Sequence, residues 1–293
     1  MEEFVFNFAP TGLVPMRGDH PGVPLEPAAI AEQVLEAAGL GATVAHLHAR
    51  EPDGTASSSA EIFADIVGRI RAHDRRIVLC VSLSGRCATG IERRAEPLTL
   101  DGDLKPDMAS LTLSSLNFSR SASLSSPGDV RGLAARMLAV GVVPELEIFD
   151  LGMANYLRYL LEHELVEAPC YANLILGNVA STQADLCSAG LLVRELPPGC
   201  LWAMGGIGAA QLTANTLALA AGGGVRVGLE DNLFWDAGRS RLASNRELLE
   251  RVLGLGAALG RSPMSPAKFR EALAMLPGGG MYGRQAKPST PCQ

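Results

Sequence analysis

Two histidines two residues apart, His46 and His48 in the run VAHLHAR, are the residues of this chain best suited to chemistry, together with the carboxylate pair Glu230 and Asp231 in RVGLEDN. The chain holds five histidines in 293 residues, so a pair closing an apolar run is not a matter of composition. Strand side chains alternate, so both imidazoles point to one face, and Arg226, Gly228 and Glu230 share a face of their own segment. Buried imidazoles without partners are costly, and buried Asp and Glu are rare unless paired or bound to metal. Two imidazoles and one carboxylate are the donor set of many catalytic zinc sites, which leave a position open for water or substrate. The plainer alternative is a satisfied polar core. It suits adjacent histidines poorly, because they crowd each other if protonated.

Further candidates close other apolar runs. VSLSG offers the Ser82 and Ser84 hydroxyls and Gly85, where backbone can approach a ligand; an ordinary turn reads the same way. SLTLSSLNF carries Ser110, Ser114, Ser115 and Asn117. In PELEIFD, Glu145 and Glu147 share a face, so one or both can enter a site, or pair with Arg226. GGIG at 205–208 precedes a helical pattern, whose N-terminus is a weak signal for an anion.

These residues need a frame that gathers strand ends. Eight β-type runs, at 4–10, 42–49, 76–85, 108–118, 142–150, 170–178, 201–208 and 224–232, alternate with helical patterns at 27–41, 59–73, 129–141, 153–165, 183–196, 209–224 and 245–260. Several runs are almost wholly apolar, as parallel strands covered on both faces must be. This predicts an α/β fold, a (β/α)8 TIM barrel, whose active site lies at the C-terminal strand ends. Strands two and eight are both even-numbered and alternate strands share layers, so His46, His48 and Glu230 can converge. A doubly wound sheet is the alternative, but GGIG is too short and too late for its phosphate turn. One barrel domain is expected over 1–276, with 277–293 a flexible arm or oligomer contact.

Bulk properties narrow the function. Apolar residues are 47% and charged residues 19%, so much surface is buried or covered by self-association. The net charge of −6 argues against nucleic acid, though not against a local basic pocket. No apolar run approaches the ~18 residues of a membrane span. The opening MEEFVF is acidic where a secretory leader is basic. Cysteines 80, 87, 170, 187, 200 and 292 are scattered, which fits free thiols in the cytoplasm rather than a cysteine-bound zinc.

NFAPTG, VAHLHAR, KPDMASLTLSSLNF, PELEIFDLGM and GGGVRVGLEDN together resemble the β-keto acid cleavage enzymes, the family of 3-keto-5-aminohexanoate cleavage enzyme, from about residue 4 to about 272. The resemblance implies a zinc-dependent (β/α)8 barrel acting in a homo-oligomer, a tetramer or similar. It implies a β-keto acid and acetyl-CoA becoming acetoacetate and a new acyl-CoA by a Claisen and retro-Claisen route. Carried over, His46, His48 and Glu230 are metal ligands. Ser82 and Gly85 hold the substrate carboxylate, with Ser110 where relatives place threonine. Arg226 and Asp231 serve proton transfer, with Glu145 nearby. A guanidinium with a pKa above 12 is a poor base, so Asp231 shares that role and Arg226 is chiefly an electrostatic partner.

One departure bears on the substrate. The aminohexanoate enzyme holds its substrate's amino group with an acid after strand one, and here the matching position is Val14. An apolar, neutral or anionic tail is expected instead, with Arg17 favouring an anion. A thioester-independent metal lyase or hydrolase on the same barrel, and a silent metabolite-binding barrel, remain open on sequence.

Overall fold

Six of the eight central strands bury every residue, the mark of a sheet covered by helices outside and filled by side chains inside. In the computed structural model, which describes residues 2–86 and 90–287, they close a parallel barrel. Its strands are β1 (Phe6–Phe8), β2 (Val44–Leu47), β3 (Val78–Val81), β4 (Met108–Thr112), β5 (Val143–Ile148), β6 (Tyr171–Leu176), β7 (Leu201–Gly206) and β8 (Gly224–Val227). Each pairs with its sequence neighbours, and β8 closes on β1 through Arg226 opposite Asn7.

The crossover helices begin and end where local chemistry dictates. Helix α1 (Pro27–Gly39) starts on a proline, and α2 (Ala60–Arg71) on the Ser59 side chain, which accepts from the Ile62 amide. The third crossover departs from the pattern. It holds a four-residue α3 (Ile91–Arg94) and two 3-10 turns, because Pro97, Gly102 and Pro106 interrupt any longer helix. Helix α4 (Pro127–Val140) has a Ser126–Asp129 capping box and ends on Gly141 at φ 67°. Next come α5 (Leu151–Glu162), α6 (Leu186–Glu195), α7 (Ala210–Ala220) and α8 (Asn245–Ala258).

The strand bottoms are sealed by a ninth helix, α9 (Pro266–Ala272), whose Phe269 packs with Val44, Val78, Met108 and Tyr171. Asp107 anchors this floor. It is fully buried and accepts from Arg270 at 2.9 Å, Arg71 at 3.3 Å and the Leu79 amide at 3.0 Å. Residues 277–287, expected to have little to pack against, lie on this floor. Tyr282 is buried with the Arg71 guanidinium 3.3 Å above its ring, and Arg284 donates to the carbonyls of Leu273 and Pro169. Residues 288–293, with Cys292, and Cys87 lie outside the described residues. Cys80, Cys170, Cys187 and Cys200 are free thiols. No helix among the described residues is long and apolar enough to cross a membrane.

Above the strands, two short antiparallel ribbons, Ala49–Arg50 with Ala56–Ser57 and Leu116–Asn117 with Ala122–Ser123, form part of the upper face.

Candidate active site

His46 lies on β2 and His48 one residue beyond it. Their Nε2 atoms face each other at 3.1 Å, and Glu230 Oε1 lies 3.1 Å from His48 Nε2 and 3.9 Å from His46 Nε2. Strand alternation places the histidines but not Glu230. Strand β8 stops at Val227, and a turn in which Gly228 O accepts from the Asp231 and Asn232 amides carries Glu230 back to them. Gly12, at φ 69°, makes room for it: a Cβ there would sit 2.7 Å from Glu230 Cγ.

This trio fits a metal ion. Each member offers one donor atom, and the three lie within 4.8 Å of one another. Burial pushes His48 down to about 4, so its lone pair is available. Glu230 Oε2 is buried without a hydrogen-bond partner. Burial raises the Glu230 carboxyl, but Arg226 and both imidazoles overcome this and hold it well below the usual range.

Beneath the trio, Glu145 orients His46. Its Oε2 lies 2.5 Å from His46 Nδ1, and its Oε1 accepts from Asn7 at 2.7 Å and Asn173 at 2.8 Å. Burial opposes charge on both groups, yet their attraction lifts His46 to about 9 and holds Glu145 at about 2. A carboxylate on the far nitrogen of a ligating histidine fixes ring and tautomer. Cys80 Sγ lies 3.2 Å from the same Oε2. Burial pushes this thiol well up, so it stays protonated and donates to Glu145. Glu145 was expected to take part in proton transfer; it is fully buried below the ligands and does not line the cavity.

Its neighbour on the same face does. Glu147 lines the cavity, accepts from Thr112 Oγ1 at 2.6 Å, and lies 3.6 Å from Arg226 Nη1. Burial raises its carboxyl, with Arg226 opposing. Arg226 is gripped on three sides: Nε donates to Asp231 Oδ2 at 2.9 Å and Nη2 to Glu230 Oε1 at 2.5 Å, with Glu147 on the third. Burial disfavours its charge, but these carboxylates hold its pKa well above the usual value. Asp231 goes the other way, burial raising its carboxyl against the pull of Arg226. Of this pair, only the carboxylate has an atom able to accept a proton.

These groups open on one cavity of about 510 Å³. Ser82 and Val14 line it. Gly85, Ser110 and Arg17 do not line it. Gly85 packs against the Leu124 carbonyl, which a Cβ would strike. Ser110 Oγ accepts from the Leu83 amide at 3.1 Å, so it positions the end of β3. Arg17 points outward and pairs with Glu26 at 2.5 Å. Ser115 accepts from the Ser125 amide and also lies off the cavity. Arg50, the last residue of VAHLHAR, has a role that alternation does not reveal. Buried, it donates to the carbonyls of Gly12 and Pro15 at 2.9 Å each and Gly54 at 2.8 Å, which pins the segment bearing Val14.

Comparison with solved structures gives the same architecture. A ternary complex of ObcA with a C4-CoA adduct and oxalate superposes with a TM-score of 0.75 at 20% identity, over 87% of this chain and 68% of that one. Two characterised relatives match nearly end to end. 3-Oxoadipate:acetyl-CoA acetyltransferase of Cupriavidus necator is 34% identical, covering 96% of this chain and 97% of its own. 3-Keto-5-aminohexanoate cleavage enzyme of Fusobacterium nucleatum is 31% identical, covering 94% and 99%. The family model for beta-keto acid cleavage enzyme matches residues 4–275. With that match laid over a closed barrel whose strand ends gather His46, His48 and Glu230, the chain belongs to the β-keto acid cleavage enzyme family.

Proposed function

We propose that this protein is a zinc-dependent enzyme that converts a β-keto acid and acetyl-CoA into acetoacetate and a new acyl-CoA. The observation that carries this reading is that His48 and Glu230 of the donor set, with His46 Nε2 3.1 Å behind His48 Nε2, line one cavity together with the Arg226–Asp231 pair. His46, His48 and Glu230 are the metal ligands. A divalent ion there, zinc by its nitrogen and oxygen donors, supplies Lewis acidity to a bound carbonyl.

The chain's own groups divide the remaining work. Ser82 holds the substrate carboxylate at the mouth of β3. Asp231 takes the proton from the carbon between keto and carboxylate groups on Oδ1, since Oδ2 is engaged by Arg226. Its raised carboxyl matches that task. Arg226, never deprotonated, steadies the negative charge that forms. The carbanionic carbon attacks the acetyl carbonyl, and CoA thiolate leaves. Thiolate then attacks the original keto carbon, the bond to the neighbouring carbon breaks with its electron pair on that carbon, and Asp231 returns its proton there, which yields acetoacetate and the new acyl-CoA. Val14 faces the tail in place of an acid, so the tail is not an amine.

The enzyme acts in the cytoplasm as a homo-oligomer. Free thiols support a reducing compartment. Exposed Leu124, Leu151, Val179 and Leu186, on the connections after three adjacent strands, support self-association. The test is a panel of β-keto acids of varied tail charge with acetyl-CoA and metal-loaded protein. Acetoacetate from one tail class supports the reading; none from any, with metal bound, overturns it in favour of a thioester-independent lyase or a silent barrel.

A further inference from the structure

The cavity mouth carries Arg86, Arg120 and Arg239, from the connections after β3, β4 and β8, while Asp19 is the one exposed carboxylate among the described residues that line it. This is an inversion of sign in a chain whose net charge is −6. Deeper in, Arg226 is already committed to Asp231, Glu230 and Glu147. Among the described residues neither Arg120 nor Arg239 makes an ion pair with a carboxylate.

Arg239 is held in place rather than left to wander. Its backbone is left-handed, at φ 56°, which a residue with a Cβ rarely adopts without a reason. Its amide donates to Asp236 O at 3.1 Å, and the Asp236 carboxylate accepts from the Ser240 and Arg241 amides at 3.1 and 3.0 Å. The guanidinium lies 5.8 Å over the Phe234 ring and reaches the neighbouring connection after β7, with Nη2 3.8 Å from where a Cβ on Gly208 would stand. Across the mouth, Arg86 lies 4.0 Å over the Phe118 ring, next to Arg120 on the ribbon after β4.

We infer that these rim arginines, Arg120 and Arg239 above all, bind the phosphates of the CoA co-substrate and so set the direction from which the thioester enters. This rests on the proposed acetyl-CoA chemistry and adds a subsite to it. The reacting thioester must reach Asp231 and the metal ligands on the cavity floor. The uncharged pantetheine arm then runs along Leu13, Leu116, Phe149, Ile175, Ile207 and Leu233, which line the walls. The phosphates emerge at the rim, where Arg120 and Arg239 are exposed. Guanidiniums pair bidentately with phosphate oxygens, and a cationic rim on an acidic surface concentrates an anionic ligand.

The experiment compares acetyl-CoA with acetyl-pantetheine, the same thioester without phosphates, on metal-loaded wild type and the double variant Arg120→Glu/Arg239→Glu. KM for acetyl-CoA is expected to rise about tenfold or more relative to that for acetyl-pantetheine, as loss of charge-assisted contacts implies. In wild type, salt should raise KM for acetyl-CoA and not for acetyl-pantetheine, a readout that stands even if the variant folds poorly. Equal changes for both thioesters overturn the assignment. A rise confined to β-keto acids with anionic tails also overturns it and moves the anion to the other substrate. Titration with CoA separates the two levels of the account. If wild type binds no CoA, the proposed function falls and this subsite with it; if wild type and variant bind CoA equally, only the subsite falls.

Discussion

Arg226 Nε donates to Asp231 Oδ2 at 2.9 Å, and the two groups move in chemically complementary directions. Burial raises the carboxyl, while surrounding carboxylates hold the guanidinium as a cation. One side chain can accept a proton and the other cannot release one. Asp231→Asn keeps the size and loses the acceptor. It should lower kcat by ~10²–10⁴-fold while leaving metal content, measured by elemental analysis, at the wild-type level. Near-full turnover would remove Asp231 from the proton-transfer role.

On the proposed reading, the pairing of His46 with Glu145 should make metal binding depend on pH. In the metal-free protein His46 titrates at about 9, so at neutral pH its Nε2 carries a proton that the ion must displace. Affinity should therefore climb as pH rises toward 9 and level off above it. Calorimetry in two buffers of different ionisation enthalpy should show about one proton released per ion near pH 7. Glu145→Gln should weaken metal binding by ~10–100-fold, read by chelator competition, and should reduce the proton release. Unchanged affinity would mean that Glu145 does not orient the ligand.

On the proposed reading, Val14 faces the substrate tail. It lines the cavity on a segment pinned by Arg50. Val14→Glu should raise kcat/KM for a β-keto acid with an ammonium tail by ~10-fold or more relative to a neutral one, the value of one charge-assisted hydrogen bond. No change in that ratio would place the tail elsewhere.

Asp107 ties two guanidiniums under the barrel, both buried. Asp107→Ala strands two buried cations and should destabilise the protein by about 3–5 kcal/mol, measured by urea denaturation. A loss below about 1 kcal/mol, the range of a surface pair, would show that the floor is held by apolar packing alone.

The barrel was legible because its strands are apolar runs of the right length and its helices carry their own stop signals, such as Pro27 and Gly141. The histidine pair was legible because two-residue spacing puts both rings on one face. Depth was not. Glu145 and Glu147 share a face by alternation, yet Glu145 pairs in register with Ser110 and Tyr171, one layer below Glu147 with Thr112 and Asn173. That layer is set by strand stagger around the barrel, which no single strand encodes. For the same reason Ser110 falls short of the cavity. Gly85 and Arg17 sit on connections, where direction depends on partners such as the Leu124 carbonyl and Glu26. The rim arginines stand outside any periodic pattern and became visible only when three connections met over one cavity.

The most direct test of the central claim follows carbon atoms. Metal-loaded protein is given a β-keto acid that it accepts and acetyl-CoA carrying carbon-13 at both acetyl positions, and the acetoacetate is read by NMR. The account predicts label at the methyl and keto carbons alone, with the other two carbons drawn from the β-keto acid and its acyl group recovered on CoA. Acetoacetate without that label, or breakdown of the β-keto acid that proceeds equally well without any thioester, would contradict it.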